Sequence, residues 1–386
     1  MGVKDLKLGI ITQALPIVKV ETQVSKYIKM MAPISSEIYL ITSNYPADSI
    51  INKKIHVENI STDDMLQSIW IRAIKYMFMQ IQMSIKLAEL SKNIDILIFF
   101  VGGTALILPM VTAKILGKKV VLESTGSGYD SAKAIYSERV LGLGGIIFPF
   151  IIKIMENINY HLADRVIVNS CRLADQHKLE SHKTKIRVAC NNFIDFKKFK
   201  ITRNHAERPN LIGYIGRLSE EKGIMNFVEA IPKLLKDNDT FEIIIIGGGT
   251  MDKKVSLFLG EKKLQNSVKC IGWLPNDCLP NNLNKMKLLV VPSYTDVLPA
   301  TMLEAMACGV PILATPVGSI PDYIKNNETG FIMDNNSPDC IAINIKHILR
   351  VPHLDAIIKN ARALVEQEFA YATAVDKYRD ILKELV

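Results

Sequence analysis

Short, purely apolar runs recur along this chain, and they limit what it can fold into. Ile243-Ile-Ile-Ile246 and Leu288-Leu-Val-Val291 are the plainest. A strand with one wet face alternates polar and apolar residues, whereas a strand covered on both faces does not. Runs of this length, separated by helix-length segments, point to parallel sheets with helices on both sides. The first half offers strands at Leu6–Ile11, Ile38–Thr42, Ile94–Val101, Lys119–Glu123 and Arg165–Asn169. The second half offers Asn210–Ile215, Phe241–Ile246, Val268–Gly272, Leu288–Val291 and Pro311–Ala314. The expected fold class is therefore α/β, with two successive doubly wound, Rossmann-like parallel sheets. A length of 386 residues suits two domains. The joint is expected near Asn192–Pro209, a polar stretch with Lys197, Lys198, Lys200 and Arg203. Asp64–Leu90, rich in Ile and Met, is mixed rather than cleanly amphipathic and is expected to pack into a core. Glu366–Val386 reads as a terminal helix.

Composition narrows the function. Cys171, Cys190, Cys270, Cys278, Cys308 and Cys340 form no C-x-x-C pair and stand beside no histidine cluster. Neither a zinc site nor a disulfide framework is expected, and buried thiols in a reducing compartment fit better. Lys4–Ile11 reads as a first strand rather than a signal peptide, and no run of eighteen apolar residues occurs, so a cytoplasmic chain without a spanning helix is expected. The net charge of +8 is lopsided: residues 1–200 hold 26 Lys+Arg against 17 Asp+Glu, and the remainder holds 21 against 22. An anionic membrane surface is a candidate partner for that basic half, and plain solubility is the competing account. Nucleic acid is not expected, because no aromatic-basic recognition motif or zinc finger is present. Val140–Ile152 is apolar apart from glycines and Pro149. Thirteen residues cannot span a bilayer. The run either lies in the bilayer surface, with Lys133, Arg139 and Lys153 toward anionic lipid, or forms a core helix between domains. No motif sets an oligomeric state.

Ligands of open parallel sheets bind beyond the carboxyl ends of the strands. Three residue groups fall there in the second half. Gly213-Tyr-Ile-Gly216-Arg217-Leu-Ser-Glu-Glu-Lys222-Gly223 places two cations after a strand, where a diphosphate could bind or where they could simply be solvated. Gly247-Gly248-Gly249 follows the Ile run and is a weak signal alone. In Pro292–Pro311 a loop holding Asp296 precedes a helix that opens at Pro299. The free amides of Ala300 and Thr301 then form an anion site. Asp296 and Glu304 suit hydroxyl recognition, since ionised carboxylates only accept hydrogen bonds; capping and a surface glutamate are the alternative.

These residues resemble glycosyltransferase family 4, the "glycosyl transferases group 1" proteins with the GT-B fold. The likeness rests on G-R-L-x-x-x-K-G at Gly216–Gly223, the glycine-rich strand end, and Glu304-Ala-Met-Ala-Cys-Gly-Val-Pro311. Ala314–Asp322, Glu328–Phe331, Ala163–Ser170, Asn191–Asp195 and Phe369–Tyr378 extend it. The first 160 residues match in architecture only. The resemblance implies an acceptor-side domain over residues 1–196, a nucleotide-sugar domain over 197–365 facing it across a cleft, and a helix over 366–386 crossing back. It implies Arg217 and Lys222 on the donor diphosphate, Glu304 on the ribose, Asp296 on the transferred sugar, and Gly216, Gly248, Ile271, Leu298, Pro299, Ala300 and Thr301 around the nucleotide. It also implies retention of anomeric configuration, no metal and no cofactor, a UDP- or GDP-linked hexose donor, and a glycan or lipid-linked acceptor. Three departures stand out. The family's first glutamate is Asp296 here, shorter by roughly 1.5 Å. Thr12–Glu21 lacks the usual glycine pair. Thr125-Gly126-Ser127 replaces a histidine-glycine on the acceptor side. A non-catalytic sugar-nucleotide-binding subunit and a nucleotide-sugar epimerase of the same fold are the alternatives.

Overall fold

The computed structural model describes residues 6–13, 20–43, 53–60, 69–124, 126, 128–129, 143–236 and 241–386. It divides into two compact units: Met1–Asn191 with Ala374–Val386, and Asn192–Thr373.

Unit 1 is built on a seven-stranded sheet. Its strands are β1 (Lys7–Gln13), β2 (Glu37–Ser43), β3 (Ile55–Ile60), β4 (Ile96–Phe99), β5 (Lys119–Ser124), β6 (Arg165–Val168) and β7 (Ile186–Val188). The order is β3-β2-β1-β4-β5-β6-β7, and every pairing is parallel. The direction of growth reverses between β1 and β4, as in a doubly wound sheet. The helices are α1 (Val20–Met31), α2 (Ile69–Leu90), α3 (Ile107–Ile115), α4 (Leu143–Leu162) and α5 (Cys171–Gln176).

Unit 2 carries β8 (Leu211–Ile215), β9 (Glu242–Ile246), β10 (Val268–Ile271), β11 (Leu288–Val291), β12 (Ile312–Ala314) and β13 (Phe331–Ile332), in the order β10-β9-β8-β11-β12-β13 and again all parallel. Its helices are α6 (Ile224–Leu235), α7 (Asp252–Glu261), α8 (Leu279–Leu283), α9 (Ala300–Ala307), α10 (Ile320–Tyr323), α11 (Pro338–Ile348) and α12 (Leu354–Glu368). The last helix, α13 (Tyr371–Lys383), belongs to unit 1 from Ala374 onward.

All ten expected strands are present, with ends moved by one or two residues. Three others were not foreseen. β3 reads Ile-His-Val-Glu-Asn-Ile, an edge strand whose wet side breaks the apolar run, while β7 and β13 are only three and two residues long. Two readings are corrected. α2 is not a core helix throughout: Met79, Met83 and Leu87 are buried, but Ile74, Phe78 and Ile85 face solvent. The mixed pattern arose because both of its faces are apolar. Nor are the cysteines uniformly buried, since Cys171, Cys270 and Cys278 are exposed, and no disulfide joins any of the six. Among the described residues, no helix is long and apolar enough to cross a membrane.

α13 is held in unit 1 by a buried polar knot. Tyr378 Oη donates to Glu123 Oε1 at 2.8 Å, and Asn191 Nδ2 donates to the same oxygen at 2.7 Å. Among the described residues, Glu123 Oε2 has no hydrogen-bond partner. Burial pushes the Glu123 carboxyl up to about 7, against the opposing pull of Tyr378, Tyr27 and Asn191. At the surface of the same unit, Arg165 and Arg187 both bond Glu384, at 2.8 and 2.6 Å, and hold its carboxyl down to about 2.

The buried glutamate predicts a pH dependence. The native carboxyl keeps its proton up to about pH 7, and the unfolded one only to its ordinary value of 4.5. Its stabilising contribution is full below that lower value and is lost as pH rises toward 7, a loss of about 3 kcal/mol. Urea titrations across this range should show Glu123→Gln flattening the slope. An unchanged slope in the variant would contradict the assignment.

Candidate nucleotide-sugar site

The site grows from the reversal point of the unit 2 sheet. β8 and β11 are neighbours there, and ligands of open parallel sheets bind beyond the strand ends at such a reversal point. The loops that leave these two strands are both pinned by glycines that no larger residue could replace. Gly223 has φ +66°, and a Cβ there would lie 2.0 Å from the Pro292 carbonyl oxygen. Gly318 has φ +53°, and its Cβ would lie 1.8 Å from the carbonyl oxygen of Asp296. The first contact brings the β8 loop against the end of β11, and the second supports the Asp296 loop from behind.

That backbone decides where the charges meet. Lys222 closes a 3-10 turn, Glu220–Lys222, and its ammonium reaches Asp296 Oδ2 at 2.6 Å. The two residues are 74 positions apart in sequence. Both side chains are mostly shielded, at 21% and 13% exposure, so the pair is screened less than a surface ion pair. Ser293 Oγ lies 3.5 Å from the same carboxylate oxygen. Arg217 follows Gly216 at the end of β8 and is half exposed, with Nη1 3.6 Å from Glu221 Oε1. Glu221 also accepts from Ser219 Oγ at 2.7 Å, and its carbonyl accepts from the Tyr294 amide at 2.9 Å.

The second strand end is bare backbone. Gly247 has φ +138°, and a Cβ would lie 1.9 Å from the Gly216 carbonyl oxygen. The Gly216 amide bonds the Ile246 carbonyl at 3.0 Å and the Leu218 amide bonds that of Gly248 at 3.1 Å, which keeps these two loops side by side. A Cβ on Gly248 would meet the Trp273 indole at 3.0 Å. Ile271, half-buried, is the last residue of β10, and Trp273 beyond it is 67% exposed.

The third component is the start of α9. Pro299 is its N-cap and no side chain caps it. Ala300 and Thr301 open the first turn, where amides have no acceptor inside the helix. Leu298 is buried beneath this start, and Thr301 Oγ1 lies 3.5 Å from the Ile215 carbonyl. Glu304, one turn on, is 5% exposed and accepts from Asn276 Nδ2 at 3.3 Å. It is therefore a held acceptor inside unit 2 and not a surface charge.

On the acceptor side, Thr125 and Ser127 lie outside the described residues. Gly126 follows β5 in unit 1. Sequence reasoning passed over Glu221 and Asn276, whereas Trp273 falls in the Cys270–Leu274 turn that the resemblance sets near the base. Glu221 sits inside the quoted Gly213–Gly223 run, and its carboxylate beside Arg217 was available as a signal. Asn276 carries no motif, and only the fold brings it to Glu304.

With this geometry in view, comparison with known proteins is informative. Residues 195–364 match the family model "Glycosyl transferases group 1". The chain is 28% identical over 203 residues to the amylovoran biosynthesis glycosyltransferase AmsK of Erwinia amylovora, covering 50% of this chain and 49% of that one. The chain thus spans about half the length of that curated relative. It is 24% identical over 208 residues to an Escherichia coli protein named UDP-Gal:alpha-D-GlcNAc-diphosphoundecaprenol alpha-1,3-galactosyltransferase, covering 50% and 53%. Its fold is that of Anabaena Alr3699/HepE, solved in complex with UDP: TM-score 0.76 and 16% identity, over 98% of this chain and 100% of the other. The architecture is thus GT-B, as the resemblance implied.

Gly223→Ala should cost at least about 2 kcal/mol in denaturant unfolding, because it combines a left-handed backbone with a clash on the Pro292 carbonyl. A cost below about 0.5 kcal/mol would show that the loop is not pinned there. The switch point, the paired Lys222 and Asp296, the bare glycine backbone and the α9 start all lie within residues 195–364, the part of the chain that is similar to the glycosyl transferases group 1 family.

Proposed function

We propose that the protein is a retaining glycosyltransferase that moves a hexose-type sugar from a UDP- or GDP-linked donor to a glycan or lipid-linked acceptor. The observation that carries this reading is that Lys222, paired with Asp296, Arg217 after β8, and the uncapped start of α9, whose Thr301 Oγ1 lies 3.5 Å from the Ile215 carbonyl, all sit beyond the ends of the adjacent strands β8 and β11. Three sources of positive potential meet where a diphosphate would lie. Loss of a nucleoside diphosphate from the anomeric carbon is the hard step, and its charge grows as the bond stretches. Fixed cations and helix-start amides stabilise that growing charge without having to reorganise.

The other residues then have distinct tasks. Glu304, buried and bonded to Asn276, accepts from ribose hydroxyls. Gly247 and Gly248 let the nucleotide approach the backbone, with Ile271 near the base. Asp296 accepts from a hydroxyl of the transferred sugar. Its ion pair with Lys222 orients both groups, and an incoming phosphate competes with Asp296 for the ammonium. The leaving phosphate itself takes the acceptor proton, so the site needs neither a carboxylate nucleophile nor a metal. The names of the relatives support this chemistry: one is a UDP-galactose transferase to a diphosphoundecaprenol-linked sugar, and one neighbour holds UDP. We place the reaction on the cytoplasmic side of the membrane, at its inner face.

Lys222→Ala and Glu304→Ala should each reduce turnover by about 2–4 kcal/mol of barrier, roughly thirty- to a thousandfold. The assay is slow release of nucleoside diphosphate from UDP- and GDP-sugars, with circular dichroism to check the fold. Near-normal rates in both folded variants would refute this donor site. Binding of a UDP- or GDP-sugar without release of nucleoside diphosphate would favour a non-catalytic subunit, and interconversion of the sugar nucleotide without acceptor would favour an epimerase.

A further inference from the structure

Unit 1 carries an apolar surface that the donor site does not use. α2, α3 and α4 lie side by side, α3 packing against both of the others. All three bury residues in one core cluster against the sheet: Met79, Met83 and Leu87 from α2, Met110 and Ala113 from α3, and Tyr160 from α4. They therefore form a single layer, and its outer face is apolar too. Ile74 is 70% exposed, Phe78 60%, Ile85 54%, Ile115 80%, Phe150 60% and Ile154 44%. Along α2 the exposed positions Ile71, Ile74, Phe78, Ile81 and Ile85 are three or four apart, the spacing of one helix face. α4 repeats the pattern at Ile147, Phe150, Ile154 and Ile158. A monomer in water seldom keeps an apolar face spread over three helices.

The charges on these three helices are mostly basic. α3 contains no acidic residue, α2 has none before Glu89 and α4 none before Glu156. Glu89 and, from β3, Glu58 pair with Lys86 at 2.9 and 3.7 Å, and Asp164 pairs with Lys114 of α3 at 2.8 Å. Glu156 is buried, accepting from the amides of Gly128 and Tyr129. Lys75 and Lys153 lie on α2 and α4, and Lys153 is exposed beside the Tyr129 ring at 5.3 Å. The whole basic surplus of the chain lies in residues 1–200.

We propose that the outer face of the α2–α3–α4 layer is a docking surface for an anionic lipid bilayer. Apolar side chains enter the acyl boundary, and the flanking lysines meet the headgroups. A second copy of the chain fits this face less well, because a two-fold contact would set the basic side chains of both copies against each other. The inference deepens the acceptor half of the proposed function, since a lipid-linked acceptor is presented at such a surface.

Flotation of the full chain with vesicles tests it, using phosphatidylglycerol–phosphatidylcholine vesicles against phosphatidylcholine alone. The protein should float with the anionic vesicles, and raising the salt should weaken the binding. The double variant Ile74→Glu/Phe78→Glu and, separately, Phe150→Glu should lower the floated fraction about tenfold or more. These side chains are exposed, so the fold should persist by circular dichroism. Absence of the wild-type chain from the floating fraction would overturn the proposal, as would variants that float like wild type. A concentration-dependent dimer, seen by light scattering and abolished by the same substitutions, would assign the face to a second copy and overturn it too. Nucleotide release, measured without vesicles on the same preparations, separates the two readings. Flotation without release would leave this surface standing and remove the transferase, whereas release without flotation would do the reverse.

Discussion

The contact of the Gly223 backbone with the Pro292 carbonyl fixes the rest of the site. The sheet grows in opposite directions on the two sides of β8, where a crevice is expected, but a crevice alone has no chemistry. The crevice becomes a site because the β8 loop must fold back onto the end of β11, and only a residue without a Cβ can let it. That fold-back sets Lys222 next to Asp296 across 74 positions of chain. It also leaves Arg217 free to pair with its own neighbour Glu221. The ion pair, the bare glycine turn after β9 and the start of α9 all lie beyond the ends of neighbouring strands.

Much of the fold could be read before any coordinates. Ile243–Ile246 and Leu288–Val291 are covered on both faces, so their sequence carries no wet side and announces a parallel strand. Where that condition fails, so does the reading. β3 lies at the sheet edge and carries His56, Glu58 and Asn59, which hid it. β13 has two residues, too few for any period. α2 was misread for the opposite reason. An apolar outer face cancels the amphipathic signal of an apolar inner face, so a helix that is apolar all round looks like core.

The candidate site divides in the same way. Residues whose role follows from local backbone, such as Gly216 before Arg217 or Pro299 at the start of α9, were legible from spacing. Roles that depend on long-range contacts were not. Nothing in the sequence pairs Lys222 with Asp296, sets Asn276 on Glu304 or brings Trp273 over Gly248. The substitution of aspartate for the family's first glutamate also changes meaning in three dimensions. The shorter side chain ends on the Lys222 ammonium.

The central claim is that Lys222, Arg217 and the α9 start hold a diphosphate. Calorimetric titration of UDP, GDP and the matching nucleosides into the wild-type chain and a Lys222→Met variant tests it most directly. The account predicts that one of the diphosphates binds wild type far better than its nucleoside does. The lysine variant should then lose at least about tenfold in that affinity, the expected scale for a charge-assisted phosphate contact, with nucleoside binding unchanged. Equal affinity of wild type and variant for the diphosphate, or no preference for diphosphate over nucleoside, would contradict it.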